Sequence, residues 1–390
     1  MSESSLAWLL QPLAVERFLD ETWGVRHCHV QRSCPGYFDD LLSGSSEVEE
    51  LLTLFRPQPA AVRLVKGNEK KQGSVAYRLA DDSLDLVRVL YDFADGYTIV
   101  LDGVERHVRP IALLCQSIEA ELNFPTQVNA YLSPPESQGL APHYDAHDVL
   151  ILQIRGSKIW HLYDVDVPPH EMERREPVDT AGLPVPTDLC VEVGDALYLP
   201  RGRVHAAETS SEPSIHLTVG IHVPTVLTLL IRALHSLSFR DDGIHTRLPL
   251  RYLDDADARA SLGALVRDAV GTIEAPSVIT ESLGALGDAL VRRGQCPPVG
   301  HVSDTIGIDG QTLVVKYQPL YSRVTVVAGG VVLQFAQLSM PAASDHESAM
   351  VFLSSSTEPF RVRELPGLLA TQQIELARTL IASGFLVRLA

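Results

Sequence analysis

The chain has 390 residues, 45% hydrophobic and 21% charged. That balance describes a globular protein rather than a disordered one, and the length suits two or three domains. The formal net charge of −17 disfavours nucleic acid and suits either a basic partner or plain solubility.

Residues 1–60 read as mostly helical. The opening "MSESSLAWLLQPLAVERFLDETWG" lacks a basic n-region, so no signal peptide is expected, and a cytoplasmic location follows by default. "PLAVERFLDETWG" carries apolar residues at helical spacing and ends at a glycine. "SSEVEELLTLF" starts on a serine cap, with Glu49 or Glu50 in the first turn. From about 61 to 225 short strand patterns follow one another: "AAVRLVKG", "GYTIVLDGV", "QVNAYLSPP", "DVLILQIRG", "KIWHLYDV", "LCVEVGDALYLPRG" and "SIHLTVGIHV". Gly, Pro, Asp and Ser separate them, which predicts a sandwich or barrel, with a jelly roll as one way to build it. One helix, "ALLCQSIEAELN" (112–123), sits among them.

From about 225 to 295 helical spacing returns in "TVLTLLIRALHSLSF", "DADARASLGALVRDAVGTI" and "SVITESLGALGDALVRRG". This block reads as a packing layer or a dimer seam. Its longest apolar run, "VLTLLI", falls well short of the roughly 20 residues that span a bilayer. Residues 300–390 alternate again and end in strand, turn, helix and closing strand, the outline of a winged helix. Its last helix offers only Glu375 and Arg378, so a structural or protein-contact role fits better than DNA binding. The cysteines (Cys28, Cys34, Cys115, Cys190 and Cys296) are scattered, which argues against a disulfide framework or a structural zinc site.

The chemistry concentrates in "APHYDAHDVLILQIRGSKIWHLYD" (141–164). If 143–154 enters a strand, residues two apart share a face, so His143 and Asp145 point the same way. A third ligand is expected from His205, just after the Pro-Arg-Gly turn of "GDALYLPRGRVHAAE". Two His and one carboxylate form the set that holds non-haem Fe(II) with open positions. His147 lies on the same face, as a fourth ligand or a group beside the substrate. Open positions would admit O2 and a chelating 2-oxo acid, whose far carboxylate needs a buried cation. Lys158, between an apolar strand and Trp160, is the candidate; the alternative is a strand-edge lysine with its head in water. Asn129 and His216, both in strand-like runs, could add hydrogen bonds to that acid.

With these residues in place, the chain resembles the JmjC-type, cupin-like oxygenases of the ribosomal-oxygenase group. The resemblance rests on "FLDETWGVRHCHVQR", "NAYLSPPESQGLAPHYDAHDVLILQIRGSKIWHLYD" and "GDALYLPRGRVHAAE". It implies an α+β chain: a double-stranded β-helix catalytic domain over 1–225, a helical dimerisation region over 226–298, and a winged-helix-like domain over 299–390. It implies that His143, Asp145 and His205 hold Fe(II), that Lys158 pairs with the far carboxylate of 2-oxoglutarate, and that Asn129 and His216 line that pocket. The activity implied is O2-dependent hydroxylation of a basic ribosomal protein by a homodimer that touches neither nucleic acid nor membrane. Demethylation is the same chemistry at an N-methyl carbon. A hydroxylase of small molecules or natural-product peptides, and a cupin that is not an oxygenase, are the other readings.

Overall fold

Residues 5–32, 34–42, 48–174, 177–296 and 302–389 are described by a computed structural model. The chain divides into two units, Met1–Val223 and Pro224–Ala390. The strands of the first unit are β1 (Cys28–Val30), β2 (Val62–Lys66), β3 (Glu69–Gln72), β4 (Thr98–Asp102), β5 (Thr126–Ser133), β6 (Asp148–Arg155), β7 (Lys158–Asp166), β8 (Thr187–Val191), β9 (Ala196–Leu199), β10 (Arg203–Thr209) and β11 (Ser214–Ile221). They build an eight-stranded sheet of order β1-β9-β6-β11-β5-β4-β2-β3 and a three-stranded sheet of order β10-β7-β8. This is the jelly roll expected from the run of short strands.

Alternation along the central strands sends side chains to two different interiors. On one face of the large sheet, Val128 and Ala130 of β5, Leu150 and Leu152 of β6, and Leu217 and Val219 of β11 are buried against helical residues including Leu9, Phe18 and Ile111. On the other face, Val149 and Ile151 of β6 meet Trp160, Leu162 and Val191 of the small sheet. Residues 149–152 of β6 therefore read as a continuous apolar run: both of its faces are covered. The site described below lies between the two sheets.

Polar ties secure the ends of these strands. Asp195, buried between β8 and β9, accepts from Arg32 N at 2.8 Å and pairs with His29 Nε2 at 2.9 Å. Asp148, at the start of β6, accepts from the Tyr198 hydroxyl at 2.7 Å, and that hydroxyl accepts in turn from Gly24 N at 2.8 Å. Burial raises the Asp148 carboxyl above its usual range despite these donors.

In the second unit, helices Val226–Leu237, Ala256–Ile273 and Pro276–Val291 precede two three-stranded sheets. Helices Glu347–Ser355 and Ala370–Ala382 pack on these sheets through Val314, Leu333, Leu353, Leu380 and Phe385. No helix among the described residues is long and apolar enough to cross a membrane.

The serine cap expected for "SSEVEELLTLF" lies outside the described residues; its helix runs Val48–Phe55. β1, β3, β10 and the helix Leu86–Ala94 were not foreseen. β1 and β3 are only three and four residues long, too short for a clear period.

Tyr198→Phe removes a donor from buried Asp148 and an acceptor from Gly24. The variant is expected to lose about 1–3 kcal/mol, read as a lower urea midpoint for the transition of the first unit.

Candidate metal centre

The segment that carries His143 and Asp145 is not a strand. β6 begins only at Asp148, and residues 142–147 run irregularly before it. The alternation argument for these two residues therefore fails, and backbone pairing brings the donors together instead. His205, expected just past a turn, sits within β10. His143 N donates to His205 O at 3.0 Å, and His205 N donates back to His143 O at 2.8 Å. Gly202 N donates to Asp145 O at 2.8 Å, tying the acid to the turn before β10. These three bonds hold a loop against a strand.

The side chains converge accordingly. One ligand atom each from His143, Asp145 and His205 lies within 4.8 Å of the others. His205 Nε2 stands 3.7 Å from Asp145 Oδ2. Both imidazoles are oriented by the same device: His143 Nδ1 meets Ala141 O at 2.9 Å, and His205 Nδ1 meets Arg203 O at 2.9 Å. A carbonyl accepts, so Nδ1 carries the proton and the Nε2 lone pair is presented inward, as metal-binding histidines require. Burial, reinforced by His143 and opposed by Asp145, pushes His205 down to about 4. It is thus neutral and competent as a ligand at neutral pH. Two imidazoles and one carboxylate on a shared vertex suit Fe(II) or a similar divalent ion.

Behind the cluster lies a narrow slot of about 40 Å³ between the sheets, lined by Lys158, Trp160, Ala207, His216, Thr218 and Ile151 among others. Lys158 starts β7 and is 3% exposed. Burial pushes its ammonium down to about 7, and among the described residues no carboxylate pairs with it. Trp160 Nε1 and His216 Nδ1 are also buried without hydrogen-bond partners. His216 is held neutral, its pKa lowered by burial and by Lys158. The slot thus runs past Val149, Ile151 and Ala207 to two unsatisfied polar groups and a lysine. An anionic ligand end satisfies that arrangement.

On the other side of the cluster is an outer chamber of about 320 Å³, lined by Arg63, Gln127, Asn129, His147, Gly220 and His222 together with His143 and Asp145. Tyr131 lines both spaces, stacked on His216 with ring centres 4.7 Å apart and planes 5° apart. Burial and the nearby Asp145 push its phenol up to about 12, so it stays neutral.

The structure separates two residues that the sequence grouped. His216 lies in the slot with Lys158. Asn129 does not: it faces the outer chamber, where its Oδ1 accepts from Gly103 N at 3.1 Å and Gln127 Nε2 at 3.2 Å. The reason is strand register, since Asn129 is one inward step nearer the mouth than Tyr131. His147 is apart from the metal cluster and stacks on His222 at 4.5 Å. It fits there because residue 220 is glycine; a Cβ at that position would lie 2.7 Å from the His147 ring. Trp160, Tyr131, Arg63 and His222 were not singled out from the sequence. Alternation through Asn129 on β5 and His216 on β11 was the available signal, because it puts Tyr131 on the same inner face.

A family model described as a JmjC domain matches residues 105–229. The chain is 29% identical over 258 residues to the bifunctional lysine-specific demethylase and histidyl-hydroxylase NO66 of Drosophila mojavensis, covering 60% of this chain and 28% of that protein. It is 30% identical over 270 residues to ribosomal oxygenase 2 of Rattus norvegicus, covering 65% of this chain and 56% of that one. The chain thus spans less than two thirds of either relative. Among solved structures, Escherichia coli ycfD aligns with a TM-score of 0.60 at 18% identity, over 97% of this chain and 99% of that one. A structure of YcfD, a ribosomal oxygenase from Escherichia coli, in complex with cobalt and 2-oxoglutarate aligns with a TM-score of 0.59, also at 18% identity, over 97% of this chain and 99% of that one. At that identity the likeness establishes a shared fold.

Asp145→Ala removes the anionic donor of the cluster. Divalent-metal affinity, measured by calorimetry with Mn(II), is expected to fall by more than about 100-fold, beyond the usual effect of a supporting residue. Circular dichroism should show the fold retained.

Proposed function

We propose that the chain is a JmjC-domain protein of the ribosomal-oxygenase type and works as an Fe(II)- and 2-oxoglutarate-dependent oxygenase. Its substrate is a side chain of a basic protein, with an arginine or histidine of a ribosomal protein as the target. The reaction consumes the C–H substrate, O2 and 2-oxoglutarate and yields the hydroxylated product, succinate and CO2. Bound Fe(II) supplies the activation of O2 that couples decarboxylation to C–H oxidation.

In this reading His143, Asp145 and His205 hold the metal through a preset geometry. Lys158 takes the far carboxylate of 2-oxoglutarate, and the Trp160 indole N–H and His216 complete the polar end of the slot. Val149, Ile151 and Ala207 keep water away from the bound acid. Neutral His216 leaves the positive charge to Lys158. Tyr131 stands where cosubstrate and target meet. The observation that carries the proposal is the buried Lys158 without a carboxylate, at the end of a slot that opens onto the His-Asp-His cluster.

The net charge of −17 suits a basic protein and disfavours direct nucleic-acid contact. Helix Val226–Leu237 leaves Val226, Leu227, Leu230, Ile231 and Leu234 exposed, which supports self-association through the 226–298 region. A homodimer fits that exposed helix face.

The test is succinate release by the iron-loaded protein, offered ribosomal-protein extract on one side and a metabolite panel on the other, with mass spectrometry for a gain of one oxygen. Coupled turnover with the extract supports the proposal. Turnover with metabolites alone moves it to small-molecule hydroxylation, loss of a methyl group moves it to demethylation, and no O2-dependent decarboxylation makes the fold a cupin without oxygenase activity.

Lys158→Ala should raise the KM for 2-oxoglutarate by roughly 10- to 100-fold, the scale of a charge-assisted hydrogen bond, while leaving Mn(II) affinity unchanged. The pH dependence has a definite sign. Above about pH 7 the free protein holds Lys158 neutral, whereas a bound carboxylate needs it protonated. Binding then takes up a proton, and the 2-oxoglutarate Kd should rise by up to about tenfold per pH unit above that point. Titrations between pH 6.5 and 8.5 (roughly one unit either side of the transition) should show this slope, and Lys158→Met should abolish it.

A further inference from the structure

The outer chamber does not end at Gln127. That residue also lines a second hollow of about 540 Å³, whose walls include Gln58, Pro59, Ala60, Ser74 and Asp82. Two contacts build the ridge between them. The Arg63 guanidinium grips the Asp102 carboxylate through two bonds of 2.7 Å, and Gly103 N donates to Asn129 Oδ1 at 3.1 Å. Arg63 and Asn129 face the chamber, whereas Asp102 and Gly103 face the second hollow. The two spaces therefore lie side by side, sharing Gln127 and divided by the Arg63–Asp102 and Asn129–Gly103 contacts.

We propose that this cleft seats the residues flanking the target side chain, so that the substrate binds as an extended polypeptide running from the metal centre over the Asn129–Gly103 ridge towards Ser74 and Asp82. The inference rests on the protein-hydroxylase reading and adds where the polypeptide lies. Size is the first argument. The chamber of about 320 Å³ is already as large as a small-molecule site, so a metabolite has no use for a further 540 Å³ beside it. Chemistry is the second. Pro59, Ala60 and Ala61 give an uncharged wall of short side chains, while Gln58 and Ser74 bring an amide and a hydroxyl that can bond a peptide backbone. Charge is the third. Each arginine along the path already has an acid beside it: Arg63 with Asp102 at 2.7 Å, Arg78 with Asp82 at 2.5 Å, and Arg106 with Glu105 at 3.7 Å. Among the described residues lining the two spaces, no uncompensated cation meets an incoming basic chain.

Ala60 and Gln58 are both exposed, so bulk can be added there without disturbing the core. The experiment uses the full chain and peptides tiling the ribosomal proteins of the source organism. Each peptide is offered in a long form and in a form trimmed to the target residue and its nearest neighbours. In the parent, kcat/KM should favour the long form. In Ala60→Trp, and separately in Gln58→Trp, the long-to-trimmed ratio of kcat/KM should fall by roughly tenfold. Thermal melts identify a variant that has failed to fold, and the other then decides. An unchanged ratio in a folded variant overturns the cleft and leaves the protein-hydroxylase reading standing. A parent enzyme that consumes 2-oxoglutarate yet hydroxylates no tile overturns that reading and the cleft with it.

Discussion

The centre depends on a backbone clamp. His143 and His205 exchange N–H···O bonds of 3.0 and 2.8 Å, and Gly202 N holds Asp145 O at 2.8 Å. The candidate metal-ligating side chains come from an irregular loop and from a strand, two segments that also pair further along, where Thr209 N donates to Ser137 O at 3.0 Å. The clamp removes most of the ordering entropy before an ion arrives. Each histidine then fixes its own ring by bonding the carbonyl two residues upstream, Ala141 for His143 and Arg203 for His205. Neither carbonyl belongs to a side chain, so the orientation survives sequence changes nearby.

The clamp stands on strands that serve two interiors at once. β5, β6 and β11 send one set of side chains into the large apolar core and the alternate set towards the site. A one-residue slip in β11 would put Leu217 into the slot and His216 into the core. The pairing of β11 with β5 on one side and β6 on the other resists that slip, as does the flat stack of His216 on Tyr131. Core packing thereby sets the site geometry.

The chain carries a net charge of −17, yet the slot behind the cluster ends in a lysine that, among the described residues, pairs with no acid. A buried cation without a counter-charge is costly, and its surroundings lower that cost by favouring the neutral form. An anionic ligand end reverses the balance. An acid bound there above about pH 7 would bring a proton with it.

Much of the candidate site was legible in the residues themselves. Alternation in "QVNAYLSPP", "DVLILQIRG" and "SIHLTVGIHV" announced strands, and the chemistry of His143, Asp145, His205 and Lys158 announced a metal and an anion, because those side-chain types have few other uses in an apolar setting. Tertiary structure decided how they meet. Strand alternation did not align His143 with Asp145; a loop clamped to β10 did, and no local period records such a pairing. Nor could sequence tell that Asn129 faces the outer chamber while His216 faces the slot. That depends on how far along its strand each residue stands relative to the metal, a distance set by sheet register and not by neighbours in the chain.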